Sequence, residues 1–447
     1  MLDLQNVASA CVKCGKCIPH CTIYMLNRDE VTSPRGFLDL LGAYKRGDLA
    51  LDTTSRAIFE SCFLCTTCVT HCPSSLPVDV AIESVRVDIA QKYGIAWYKR
   101  AYFFLLRHRK LADIVFSLVH FIAPCAFKEE NGRLISRFKL FKNTENKRAK
   151  RSIFPFWRTS FLQKYQGDIM PKNPNMLDFT KASHTRDLAH NPSSNTLTHN
   201  RVAIFIGCLS NYNYVNVGES LLTILSRLGI TAFVPHLQEC CGAPAFFTGD
   251  VKSVAYLAKK NIVYFESFWE SIDAMIIPEA TCAAMIKKDW IHALSDEPEW
   301  IERLERLLPK IDMASAWLFH HTHLQEILPQ NWSSQSITYH DPCHARKVLG
   351  IFKEPRALLS HSFVLKEMSD SARCCGFGGI SMQSSRYDLT LKAGKPKAEM
   401  INESGAEIVT AECGACRMQI DNALTQIHSP VRFAHPLELI ADALKDS

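Results

Sequence analysis

From residue 201 onward the apolar positions fall into short runs, each followed by a stretch whose apolar residues return every three or four positions. Short apolar runs between turn residues read as buried strands, and the longer periodic stretches read as helices. Val202–Ile206, Ile230–Val234 and Ala274–Ile277 form a first set of strands; Ile337–Tyr339, Phe363–Leu365 and Glu407–Val409 form a second. Strand and helix alternating in two similar blocks predicts a duplicated α/β unit whose parallel sheets are covered by helices. The N-terminal part is patterned differently. Phe37, Leu38, Leu40 and Leu41 have helical spacing after a turn at Pro34-Arg35-Gly36, which predicts a helical head. The expected division is a head over 1–95, a connector and linker over 96–200, a first repeat over 201–330 and a second over 331–447. Within 96–200 the part to 165 reads as helical, and 166–200, with Pro171, Pro174 and Pro192, reads as exposed linker.

Cysteines occupy special places on this pattern. In the head they make two copies of one spacing: Cys11, Cys14, Cys17 and Cys21, then Cys62, Cys65, Cys68 and Cys72, with Pro73 behind the last. Three thiolates at successive threes suit one loop wrapped around a cubane [4Fe-4S] cluster, and the fourth cysteine of such a run serves a second cluster. By that crossover, Cys11, Cys14, Cys17 and Cys72 hold one cubane, and Cys62, Cys65, Cys68 and Cys21 the other. Zinc sites are the alternative, but they usually read as separated Cys-x-x-Cys pairs.

In the second half the cysteines follow the predicted strands, where parallel α/β folds collect their ligands. The first repeat has Cys208, Cys240, Cys241 and Cys282; the second has Cys343, Cys374, Cys375, Cys413 and Cys416. Adjacent cysteines project in different directions and suit different irons of one larger cluster better than a single small ion. Gly376, Gly378 and Gly379 are read as backbone brought close to an inorganic core. The first repeat is one thiolate short, with Met285 read as standing in the place of the fifth. Thioether sulfur is a weaker ligand than thiolate, so the metal of the first repeat is open between a cluster and zinc. His340, Asp341 and His344 near Cys343 read as turn-stabilising groups, with proton carriage as the alternative. Cys125 lies outside every ligand group and is expected to be a buried, inert thiol.

Charge changes the picture in one place. The net charge is +6, but residues 98–160 hold 15 Lys or Arg against four acids, so this stretch carries +11 and the remainder −5. The apolar run 114–127 inside it spans 14 residues and contains His120 and Pro124. Roughly 20 apolar residues are needed to cross a bilayer, so no transmembrane helix is expected. Basic residues beside short apolar stretches suit either a helix lying in an anionic membrane surface or one packed on another domain. No nucleic-acid module accompanies the charge. The opening Met1-Leu2-Asp3-Leu4-Gln5 lacks a basic region with an apolar run behind it. The expectation is a cytoplasmic protein at the inner face of the membrane, with its thiols in a reducing compartment.

These residues resemble a known family: iron–sulfur subunits with two N-terminal [4Fe-4S] motifs and duplicated cysteine-rich (CCG) domains of the heterodisulfide reductase type. The resemblance spans nearly the whole chain apart from the basic connector. Ala10-Cys11-Val12-Lys13-Cys14-Gly15-Lys16-Cys17 with Pro34-Arg35-Gly36 looks like the iron–sulfur subunit of glycolate oxidase and related lactate dehydrogenases. Gly207-Cys208-Leu209-Ser210-Asn211-Tyr212-Asn213 and the ending His435-Pro436-Leu437 look more like the iron–sulfur subunit of anaerobic glycerol-3-phosphate dehydrogenase. The resemblance implies a noncubane [4Fe-4S] cluster on Cys343, Cys374, Cys375, Cys413 and Cys416, and an FAD-containing partner. Thr22 departs from the family, which usually has proline after that cysteine.

The fold class is therefore α/β: a helical two-cluster ferredoxin domain followed by a duplicated parallel-sheet cysteine-rich domain. No Gly-rich dinucleotide fingerprint is present, so flavin and nicotinamide chemistry belong on a partner. The expected function is electron transfer from a partner flavoprotein that oxidises a 2-hydroxy acid toward quinone or another membrane acceptor, with no catalytic nucleophile on this chain. The same role beside a glycerol-3-phosphate dehydrogenase is the nearest alternative. Two more distant ones are disulfide reduction at the noncubane cluster, and a zinc-stabilised interaction module.

Overall fold

The computed structural model describes residues 4–130, 133–138, 141–142, 148–171 and 201–445. The head is helical. Ser33 caps the helix Pro34–Arg46 by accepting the Gly36 amide at 3.0 Å, with Pro34 in the first turn and Gly47 in the left-handed conformation at its end. Pro34-Arg35-Gly36 thus starts the helix rather than forming a separate turn before it. Gly36 is required there, because a Cβ would lie 2.1 Å from the Glu30 carbonyl oxygen. Phe37, Leu38 and Leu41 pack on Val78, Ala81, Ile82, Val85 and Ile89 of the helix Val78–Tyr93. Each such buried side chain contributes about 1.5–3 kcal/mol, which stabilises a layer otherwise interrupted by two long cysteine loops.

The long helices of the connector lie in its first half, and its second half keeps only the short helix Phe161–Lys164. Helices Trp97–Arg107 and Arg109–Ala126 give way to β1 (Phe127–Glu130) and β2 (Arg133–Ser136). The short strands β3 (Phe141–Lys142), β4 (Arg148–Ala149) and β5 (Ser152–Ile153) follow. β1, β2 and β5 form an antiparallel sheet, and β3 pairs with β4. These strands replace the helix expected over the second half of the connector, because strands of two to four residues are too short to show a period of their own. Buried Arg133 fastens this sheet to the second repeat through Asp421 at 3.3 Å and the Ser429 carbonyl at 3.3 Å. The expected linker also begins as structure, since β6 (Gly167–Ile169) extends the first repeat's sheet. The rest of that linker, 172–200, lies outside the described residues.

The first repeat contains β7 (Arg201–Ile204), β8 (Thr231–Val234), β9 (Ala274–Ile277) and β10 (Ile311–Met313). The second contains β11 (Ser336–Tyr339), β12 (Val364–Leu365), β13 (Ile408–Thr410) and β14 (Arg432–Ala434). The sheet orders are β10-β9-β7-β8-β6 and β12-β11-β13-β14. Read from the second strand of each repeat, both run second, first, third, fourth, all parallel, with β6 added antiparallel beyond β8. The strands are short and buried on both faces, as in Val202–Ile204 and Ile337–Tyr339. In both repeats the strand order reverses at the first strand, which opens a crevice beyond the carboxyl ends of its neighbours.

Candidate iron–sulfur centres

In the head, the two cysteine loops share one backbone trace. Lys13 and Gly15 have φ of 57° and 78°, and the corresponding Leu64 and Thr66 have 50° and 55°. Left-handed residues alternating with cysteines curl each loop so that its thiols converge on the concave side. One cavity is lined by Cys11, Cys14, Cys17 and Cys72, and a second by Cys21, Cys62 and Cys65; Cys68 lies on the wall of both. The fourth cysteine of each run therefore sits with the other run's first three. His20 and His71, each just before that fourth cysteine, stack at 3.7 Å between the loops. Val12, Lys13 and Cys14 are exposed whereas Phe63, Leu64, Thr66 and Thr67 are buried, so the first loop lies at the surface and the second inside. Buried Arg86 closes the inner end: it donates to the Cys62 carbonyl at 2.7 Å and to the Phe247 carbonyl of the first repeat at 2.9 Å.

Each repeat builds its site from the loops after its first three strands. Cys208 follows β7, Cys240-Cys241-Gly242 follows β8, and Cys282 follows β9; Cys343, Cys374-Cys375-Gly376 and Cys413 with Cys416 follow β11, β12 and β13. The Cys-Cys-Gly turns are alike. Gly242 and Gly376, with φ of 89° and 86°, each donate their amide to the sulfur two residues back at 3.4 Å. Gly376 is required by packing, because a Cβ there would lie 2.8 Å from the Ala393 Cβ. Gly207 makes room for the Cys282 sulfur, which would lie 2.7 Å from a Cβ there.

The place of the missing thiolate is corrected. Cys241 and Cys282 sulfurs lie 3.3 Å apart and Cys375 and Cys416 sulfurs 3.4 Å apart, each pair 41 residues apart in sequence. Cys282 therefore matches Cys416, not Cys413. The position of Cys413, the N-cap of the helix Gly414–Gln426, is filled in the first repeat by Glu279, the N-cap of the helix Ala280–Ala284. Met285 lies beyond that helix as fully buried core. Glu279 is buried, and burial raises its carboxyl, opposed by hydrogen bonds from the Ser210 hydroxyl at 2.6 Å and the Gly414 amide at 2.8 Å. Sequence reasoning misses it because the two repeats align only when Cys282 is matched to the last cysteine of the second.

Cys208, Cys241, Cys282, Cys343, Cys374, Cys375, Cys413 and Cys416 all line one cavity of about 490 Å³ between the repeats. Cys240 is buried behind it, with its sulfur on the Gly242 amide. The other walls are largely aromatic, including Tyr102, Phe116, Phe154, Phe247 and Phe377. Thr281 joins the halves, 3.2 Å from His344 Nδ1 and 3.6 Å from the Cys413 sulfur. His344 stacks on Phe247 and is pushed down to about 4 by burial, which keeps it neutral. Asp341 is structural: burial alone would raise it, but Arg356 at 2.5 Å, Arg346 and Ser371 hold it below the usual carboxylate range. Cys125 is exposed, contrary to expectation, because its helix turns that face outward.

This donor set fits a soft cationic metal centre. Burial pushes Cys343 up to about 12, and sulfur neighbours together with burial raise Cys374 and Cys416, while hydrogen bonds with those neighbours lower Cys375 and Cys413. Neighbouring thiols that resist ionising together become thiolates only when a metal supplies the opposing charge. The head and the second repeat also touch: Cys65 interacts directly with Cys374, and Lys347 donates to Thr67 beside Cys65.

A model of a 4Fe-4S dicluster domain matches residues 7–76, and a model of a cysteine-rich domain matches twice, at 202–287 and 337–421. Lactate utilization protein A of Geobacillus thermodenitrificans is 30% identical over 54% of this chain and 98% of its own length. The chain belongs to this iron–sulfur protein family. A probable glycolate oxidase iron-sulfur subunit of Bacillus subtilis is 26% identical over 97% of the chain and 93% of its own length. A hypothetical protein from Helicobacter pylori of known structure has a TM-score of 0.50 at 11% identity, over all of this chain and 78% of its own, and so shares the fold. As a member of the family, the chain is an iron–sulfur component of an oxidoreductase, and its α/β fold combines the dicluster head with two cysteine-rich repeats.

Proposed function

We propose that this chain is the electron-transfer subunit of a membrane-associated flavin-dependent dehydrogenase acting on glycolate, lactate or a related 2-hydroxy acid. Electrons leave the FAD of a partner protein and pass through the clusters toward quinone. Cys11, Cys14, Cys17 and Cys72 would hold one cubane, Cys21, Cys62, Cys65 and Cys68 the other, and Cys343, Cys374, Cys375, Cys413 and Cys416 a noncubane cluster. Iron–sulfur clusters at these places supply one-electron transfer. Cys208, Cys240, Cys241 and Cys282 would hold the metal of the first repeat.

The observation that carries this reading is the unbroken row of cysteine sites. An exposed cavity at Cys14 adjoins an inner one through Cys68, the inner one meets the second repeat where Cys65 interacts with Cys374, and the second shares a cavity with the first. The chain's own residues hold this path together, with Arg86 and Lys347 tying the head to the repeats.

Membrane association is supported by the helix Arg109–Ala126. Its outward row, Ile114, Leu118, Phe121 and Ile122, is 57–65% exposed, beside the basic stretch of 98–160. Arg158 lies over the Phe121 ring at 5.5 Å, and an apolar face with basic residues near it suits an anionic lipid surface. Among the described residues no helix is long and apolar enough to cross a membrane.

The test is Cys375→Ser in the assembled complex. Quinone-linked oxidation should stop while the partner still reduces an artificial dye. Loss of both reactions, or of neither, would count against this reading.

A further inference from the structure

The first residue after β11, His340, is 1% exposed and has no histidine counterpart in the first repeat. Its amide bonds the Thr410 carbonyl at 2.9 Å, as the Phe205 amide bonds the Ile276 carbonyl at 3.0 Å after β7. The two positions are therefore equivalent, and only the second repeat puts a nitrogen donor there.

The ring is held in one orientation. Nδ1 lies 3.2 Å from the Ser371 carbonyl oxygen. A carbonyl only accepts, so Nδ1 carries the proton of that bond. The carbonyl itself is pinned by the Asp341 amide at 3.0 Å and Lys397 Nζ at 3.3 Å. Nε2 is left buried with no hydrogen-bond partner among the described residues. His340 offers a ring nitrogen within 4.8 Å of the sulfurs of both Cys375 and Cys416. A histidine whose Nδ1–H is spent on a backbone carbonyl, whose Nε2 is buried without a partner, and whose ring lies close to two cysteine sulfurs is arranged as a metal ligand is arranged.

Building on the reading that the second repeat holds an iron–sulfur cluster, we propose that His340 Nε2 is a nitrogen ligand to the iron nearest Cys375 and Cys416. The second centre would then have mixed sulfur and nitrogen ligation. The first would lack a nitrogen ligand, since Phe205 takes this place.

The experiment uses the full chain, prepared anaerobically and brought to its paramagnetic state by stepwise redox titration. The second-repeat signal is identified as the one that Cys375→Ser removes. Pulsed EPR of that signal should show a strong ¹⁴N coupling that converts to ¹⁵N when histidine is labelled. His340→Gln, whose amide can still donate toward Ser371, should keep the signal and lose the coupling. A cluster signal with no histidine coupling, or with only the weak coupling of a hydrogen-bonded nitrogen, overturns this inference and leaves the proposed function standing. If no signal is removed by Cys375→Ser, both fall. The labelling result in the unsubstituted protein decides the matter even if the variant fails to fold.

Discussion

The Glu279 carboxylate accepts the Gly414 amide at 2.8 Å across the boundary between the repeats, from the position that Cys413 holds in the second repeat. A ligand position in one repeat has thereby become a strut to the ligand loop of the other. Glu279→Cys should return a fifth thiolate to the first repeat. EPR of the reconstituted variant is expected to show an additional five-thiolate cluster signal without the histidine coupling of the second repeat. Losing the Ser210 and Gly414 bonds should lower stability by about 1–3 kcal/mol, read as a lower thermal midpoint.

The placement of Cys72 with the first loop and Cys21 with the second makes their single substitutions diagnostic. Cys72→Ala should remove the exposed cluster of the Cys11, Cys14 and Cys17 loop, and Cys21→Ala the inner one beside Cys62. Iron analysis with EPR of each variant checks this. Loss of the cluster belonging to the mutated cysteine's own run would refute the crossover.

The outward row on the helix Arg109–Ala126 can be tested without touching any cysteine. Ile114→Glu with Leu118→Glu replaces two exposed apolar side chains, so the fold and the iron content should stay unchanged. Burying each of the originals in lipid is worth about 1.5–3 kcal/mol. Binding to phosphatidylglycerol vesicles should therefore fall by at least about 100-fold, as measured by flotation. Equal binding by the variant would remove this helix from the membrane contact.

His435 links stability to pH. Burial pushes it down to about 3, with Nδ1 accepting the Leu437 amide at 3.2 Å. Between the unfolded value near 6.5 and the folded one, the unfolded chain binds a proton that the native protein refuses. Stability from this group is therefore complete above about 6.5 and falls by about 1.4 kcal/mol per pH unit below it. The thermal midpoint should drop less steeply from pH 7 to pH 5 in His435→Asn than in the unsubstituted chain. An identical slope would show that other groups carry the acid sensitivity.

Where sequence and structure differ, the missing information is long-range. Matching Cys282 to Cys413 points to Met285 as the replaced ligand, whereas the contacts Cys241 to Cys282 and Cys375 to Cys416, both 41 residues apart in sequence, show that Cys282 matches Cys416. Cys125 sits in an apolar run yet faces outward, since a run of that kind does not say which side of its helix is covered. The strands of 127–153 depend on docking against the helix Gly414–Gln426, far away in sequence.

Cysteine spacing and the recurrence of strand and helix were legible in the chain itself, because ligand loops and the period of buried strands are local properties. They determined the helical dicluster head, the duplicated α/β half and the cysteines at strand ends. Tertiary structure alone decided what lies next to what: Glu279 against Gly414, Cys65 against Cys374, and His340 beside Cys375 and Cys416. Those contacts join residues tens to hundreds of positions apart, and packing of one unit on another, which no local pattern encodes, brings them together.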